Sequence, residues 1–154
     1  MENNDLLRRI RYAFDYNDAT LIEILALAAV EMQEEVLRTL FKRDEEEDYL
    51  ECTDEILTAL LDGIIIKNRG KKENATPAPK EELSNNLVLK KLRIALNFQT
   101  EDMLAVLKLA GVNVSKSELS ALFRKKGHRN FKECGNQFLR NFIQGLIIKN
   151  RKQT

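Results

Sequence analysis

The chain has 154 residues, is 44% hydrophobic and 32% charged, and carries a formal net charge of +1. That composition is ordinary for a soluble globular protein, and the length suits one domain or two small ones. The opening MENNDLLRRI sets acids and arginines where a secretion signal needs an apolar run, and the longest apolar stretches, such as LIEILALAAV (Leu21 to Val30), are too short to span a bilayer. A cytoplasmic protein without membrane association is therefore expected.

In chain order, the first apolar set is Leu6, Leu7, Ile10, Ala13 and Phe14, which recur at helical spacing. A second predicted helix starts at an Asp18 N-cap and carries Leu21, Ile22, Leu25 and Ala28. A third carries Leu37, Leu40 and Phe41. After the acidic run DEEED (Asp44, Glu45, Glu46, Glu47, Asp48), a fourth spans about Thr53 to Ile66, with Leu57, Leu61, Ile64 and Ile65 on one side. GKKENATPAPKEELS (70–84) then holds both prolines and reads as a flexible linker.

Beyond the linker the chain repeats itself. A shift of 82 aligns Asn3/Asn85 to Arg69/Arg151 without a gap, and 21 of those 67 positions are identical. Two copies at that spacing are a duplicated small domain, since a solenoid repeats at about 20 to 50 residues. The second copy has the same apolar sets: Val88, Leu89, Leu92, Ala95 and Leu96, then Met103, Leu104, Leu107 and Ala110 behind a Thr100 N-cap, then Leu119, Leu122 and Phe123. Gly111 stops its second helix, Ser115 and Glu118 form a capping box, and a last helix runs from about Asn136 to Ile148. The expected fold is all-α, with two tandem homologous four-helix units. They comprise residues 1–69 and 85–154, joined by 70–84. A unit of that size is marginal alone, so packing of the two about a pseudo-twofold axis is expected.

Each copy ends on one phrase, GIIIKNR from Gly63 and GLIIKNR from Gly145. A helical glycine costs about 1 kcal/mol against alanine, so its retention in both copies predicts a backbone packed closely on a neighbour, with the KNR that follows as a fraying, solvated end. Arg11/Arg93 and Glu51/Glu133 are polar positions shared by both copies, and the pairs Arg11–Glu51 and Arg93–Glu133 are expected as partly buried bridges within each unit.

Groups able to do chemistry are few. The single histidine is His128, and there is no phosphate-binding glycine loop, Gly-x-Ser-x-Gly elbow or Cys-x-x-Cys. Cys52 and Cys134 are too few and too distant for a disulfide framework and read as small buried hydrophobes. Their spacing with His128 matches no metal motif, so no catalytic residue, metal, cofactor or small-molecule substrate is expected. The segment TEDMLAVLKLAGVNVSKSELSALFRKKG (Thr100 to Gly127) has too long a turn for a helix-turn-helix. Phe123, Phe131, Phe138 and Phe142 read as core rather than as a base-stacking platform.

Charge divides the copies. Residues 3–69 hold 8 Lys and Arg against 16 Asp and Glu, a net of −8, whereas residues 85–151 hold 13 against 4, a net of +9. DEEED aligns with KGHRN (Lys126 to Asn130), so equivalent surfaces have opposite sign. The expected acidic face is Asp44 to Asp48, and the basic face is Arg124, Lys125, Lys126, Arg129, Lys132 and Arg140. A non-enzymatic protein-interaction module with charge-complementary halves, bound to a protein partner or to itself, is the leading reading, and nucleic-acid binding through the basic half is the alternative.

The openings LRRIRYAFD and LKKLRIALN, the segment NFQTEDMLAVLKLAGVNVSKSEL and the repeated Gly-(Ile/Leu)-Ile-Ile endings resemble the YehS-like proteins, a bacterial family of duplicated domains of unknown function. The resemblance implies a small bacterial cytosolic protein and supplies no catalytic residue.

Overall fold

The computed structural model describes residues 1–70 and 81–151, so most of the expected 70–84 linker lies outside the described residues. The chain divides into two compact units, Met1–Lys80 and Glu81–Thr154. Among the described residues the secondary structure is entirely helical, and no helix is long and apolar enough to cross a membrane. The first unit contains α1 (Asn3–Phe14), α2 (Asp18–Leu27), α3 (Glu34–Leu40) and α4 (Asp54–Arg69). The second contains α5 (Asn85–Leu96), α6 (Thr100–Leu109), α7 (Lys116–Leu122) and α8 (Asn136–Arg151). Each helix boundary of the first unit recurs 82 residues further on, so the repeat seen in the sequence is a repeat of backbone.

Two boundaries differ from expectation. The N-caps are Asn17 and Gln99, one residue earlier than expected, and Asp18 and Thr100 are the first helical residues. Asn17 Oδ1 accepts from Thr20 N at 2.8 Å, a reach that a first-turn residue does not have. The last helices run through KNR to Arg69 and Arg151 rather than fraying at the isoleucines. Their last-turn cations suit the negative helix end, and Lys149 Nζ lies 4.6 Å from the centre of the Phe98 ring. The capping box of Ser115 and Glu118 forms as expected.

Each core is built on the crossing of the second helix with the fourth. Leu21, Ile24 and Leu25 of α2 meet a buried row on α4 (Leu57, Leu60, Leu61 and Ile64), and Met103, Val106 and Leu107 of α6 have the same role against Leu139, Phe142, Ile143 and Leu146 of α8. The paired glycines lie at these crossings. A Cβ on Gly63 would run into the backbone oxygen of Ile24 and come within 2.6 Å of its Cγ2, and one on Gly145 would collide with the backbone oxygen of Val106 and come within 2.8 Å of its Cγ1. Close backbone approach, expected from the repeated phrase, is the reason for glycine here. Both positions are inside a helix, so a C-terminal capping role is excluded.

A second constraint ties the start of each unit to its middle. Asn4 is 1% exposed and makes three hydrogen bonds. Its Nδ2 donates to Leu40 O at 3.0 Å and Leu50 O at 2.9 Å, and its Oδ1 accepts from Cys52 N at 2.8 Å. Asn86 repeats this with Leu122 O, Lys132 O and Cys134 N, at 3.0, 2.9 and 2.9 Å. Asn3 and Asn85 add bonds to Cys52 O and Cys134 O. The loop between the third and fourth helices, which has no ladder of its own, is thereby pinned to the first helix at both ends.

Three substitutions test this account. Gly63→Ala and Gly145→Ala must force two backbones apart, so each is expected to destabilise its unit by about 3 kcal/mol or more in chemical denaturation, at the upper end of overpacking effects. Asn4→Ala strands two carbonyls and one N–H, and a loss of about 3 kcal/mol is expected, against less than about 0.5 kcal/mol for an exposed control such as Glu45→Ala.

Candidate functional site

The loops that carry the charged runs, 41–53 and 123–135, share one backbone design. In the first, Leu50 N returns to Thr39 O at 3.2 Å, and two turns close through Glu46 N to Arg43 O and Tyr49 N to Glu46 O. In the second, Lys132 N returns to Ala121 O at 3.1 Å, with turns from His128 N to Lys125 O and Phe131 N to His128 O. The backbone and the asparagine pins satisfy the loop, leaving the side chains at its tip for solvent.

Asp44, Glu45, Glu46, Glu47 and Asp48 are all exposed. Among the described residues, only Asp48 of the acidic run meets a cation, Lys42, at 3.2 Å, and Glu46 Oε1 accepts from Arg43 N at 3.3 Å. In the second unit Arg124, Lys125, Lys126, Arg129 and Lys132 are exposed on the matching loop, whereas Arg140 is half-buried on α8. Arg140 thus belongs to a different element from the other five. His128, at the loop tip, accepts from Asn130 N through Nδ1 at 3.0 Å, a bond that requires an unprotonated Nδ1.

Beneath each loop lies an arginine that the sequence assigned to another partner. The expected Arg11–Glu51 and Arg93–Glu133 bridges do not form, and Glu51 and Glu133 are exposed. The asparagine pins explain this, because they place Cys52 beside Asn4 while Arg11 lies seven residues further along the helix, about 10 Å at 1.5 Å per residue. Arg11 instead closes the end of α1. Its Nε donates to Tyr16 O at 3.1 Å, its Nη2 meets Asp18 Oδ1 at 2.6 Å, and its guanidinium carbon stands 4.4 Å from the Phe41 ring centre. Arg93 repeats two of these contacts, with Phe98 O at 3.1 Å and the Phe123 ring at 4.7 Å. Phe41 and Phe123, expected as core, are half-buried platforms for these cations.

The thiols are chemically quiet. Cys52 and Cys134 are buried and unpaired, each Sγ at 3.6 Å from the next carbonyl oxygen. Burial pushes both thiols up to about 11, with the Asp54 carboxylate adding to the effect at Cys52. A thiol of that acidity is almost wholly protonated at neutral pH and is a poor nucleophile or metal ligand.

Sequence reading missed the asparagine pins. The available signal was the Asn-Asn dipeptide at 3–4 and 85–86, two polar positions identical at the head of the repeat.

Two copies of one helical unit in tandem make this a duplicated all-α protein. The family described as "Protein of unknown function (DUF1456)" matches residues 3–70 and again 85–152, so the chain belongs to that family, one match falling on each unit. The "Uncharacterized protein YehS" of Escherichia coli (strain K12) is similar, 44% identical over 151 residues that cover 97% of this chain and 96% of that protein. No solved structure matches the chain.

The raised thiol values carry a pH signature. An unfolded thiol ionises near 9.0, while the folded one holds its proton to about 11. The unfolded state therefore binds fewer protons between those values. Stability is expected to be insensitive to these groups below about pH 9 and to fall as pH rises from 9 toward 11, a decline that Cys52→Ala/Cys134→Ala should flatten in denaturant titrations across that range.

Proposed function

We propose that the protein is a non-enzymatic interaction module in which the acidic 41–53 loop face of one molecule docks on the basic 123–135 loop face of a second copy. The observation that carries this reading is the opposite charge on two loops of the same backbone. A surface shaped once and charged twice, with opposite signs, has the complementarity that a self-association contact uses. Symmetric pairing of two copies would engage both faces of each chain and close the assembly. The two thiols that sequence reading weighed for chemistry are buried.

A protein built to hold a phosphate backbone gains nothing from a first unit of net −8, which repels that backbone within about a Debye length of 10 Å. Sedimentation velocity across salt separates the readings. Self-association is expected to weaken by about tenfold or more between about 50 and 500 mM salt, since exposed charge pairs are screened over that range. Lys125→Glu/Lys126→Glu should abolish it, and adding Glu45→Lys/Glu46→Lys should restore it. Salt-independent behaviour, together with micromolar binding to labelled DNA or RNA near about 150 mM salt, would replace this reading with the nucleic-acid one.

A further inference from the structure

The two units differ at one contact beneath their loops. In the first, the guanidinium of Arg11 is held on three sides: Nε on Tyr16 O, Nη2 on the Asp18 carboxylate and the flat face on Phe41. A second cation, Arg38, stands 3.9 Å from the other Asp18 oxygen. In the second, Arg93 is held in the same way by Phe98 O and Phe123, but position 100 is threonine and position 120 is serine. Among the described residues the Nη groups of Arg93 meet no carboxylate. The nearby first-turn acids of α6 are otherwise engaged, Asp102 Oδ2 with Gln99 N at 2.7 Å and Glu101 with Lys116 at 3.5 Å.

An arginine stacked on an aromatic ring and fixed through Nε has lost most of its rotamer freedom before any ligand arrives, and its remaining N–H fork is suited to a carboxylate or phosphate. The first unit shows which anion fits this frame: a carboxylate, offered from the first residue of the second helix. Replacing Asp18 by Thr100 shortens the side chain and removes its charge, leaving the cation in place without its counter-ion.

We propose that Arg93, with Thr100 at the position of Asp18, is an anion-binding site that takes a side-chain carboxylate from an acidic polypeptide segment. The partner then supplies to the second unit what Asp18 supplies within the first. Phe123, under the guanidinium, directly precedes Arg124, Lys125 and Lys126, so the site lies at the foot of the basic loop. The site deepens the interaction reading by naming the ligand chemistry of that face, while its own argument rests on Arg93 alone.

The test follows the Arg93 Nε–H resonance by nitrogen–proton NMR, since its bond to Phe98 O protects that proton from exchange. N-acetylated hexaglutamate is titrated into the full chain at a concentration where the protein is monomeric. A saturating shift at Arg93 is expected, with no response from Arg11. Thr100→Asp installs the first unit's own carboxylate at a helix N-terminus, where it is tolerated, and is expected to weaken peptide binding about tenfold, the loss expected for a charge-assisted hydrogen bond. Asp18→Thr is expected to make Arg11 responsive. An Arg93 resonance unmoved by the peptide, or undiminished binding in Thr100→Asp, overturns the site. A hexathymidylate that shifts Arg93 at lower concentration than hexaglutamate overturns the carboxylate assignment. Loss of salt-dependent self-association with the Arg93 response intact would sink only the pairing of copies proposed above.

Discussion

The approach of two helix backbones at a glycine is the constraint on which each unit depends. Helix axes usually lie 8 to 10 Å apart because side chains separate them. Here the carbonyl of Ile24 or Val106 occupies the space that a Cβ at residue 63 or 145 would need. Removing that one carbon brings α2 onto α4 and α6 onto α8, so that the leucine and isoleucine rows on either side interlock and are buried. The intrinsic cost of a helical glycine, about 1 kcal/mol, is small beside that burial.

With the second and fourth helices fixed, the remaining chain needs few polar contacts. The asparagines at the head of the first helix hold the long loop before the fourth, and the arginine near its end holds the turn into the second. These anchors act on backbone carbonyls and N–H groups, which every residue type but proline possesses. The loop's outward side chains are therefore free to change without loss of fold. This is how one backbone carries DEEED in the first unit and KGHRN in the second, and how a net of −8 and a net of +9 coexist in a chain with 21 identities in 67 positions.

The difference between the two arginine contacts follows from the same separation. Arg11 meets Asp18 of its own unit, whereas Arg93 keeps its ring and carbonyl but meets no carboxylate among the described residues. Duplication preserved the frame that orients the arginine while the residue facing it changed. In the acidic unit the arginine meets a carboxylate of its own unit, and in the basic unit the half-buried arginine keeps only the carbonyl and the ring.

The sequence by itself determined the duplication, the helical class, the apolar faces and the need for close approach at Gly63 and Gly145, because periodicity and a shared glycine are local signals. It also displayed the charge opposition, which needs only a count along aligned positions. Tertiary structure decided the partners. Arg11 and Glu51 share identity in both copies, yet the helical rise separates them, and Arg11 finds Tyr16 and Asp18 across a turn and Phe41 just past the end of α3. Asn4 looks like any surface asparagine in the sequence until folding brings Leu40, Leu50 and Cys52 around it. A side chain's hydrogen-bonding capacity is written in its type, but which distant carbonyl it meets is set only when the helices pack.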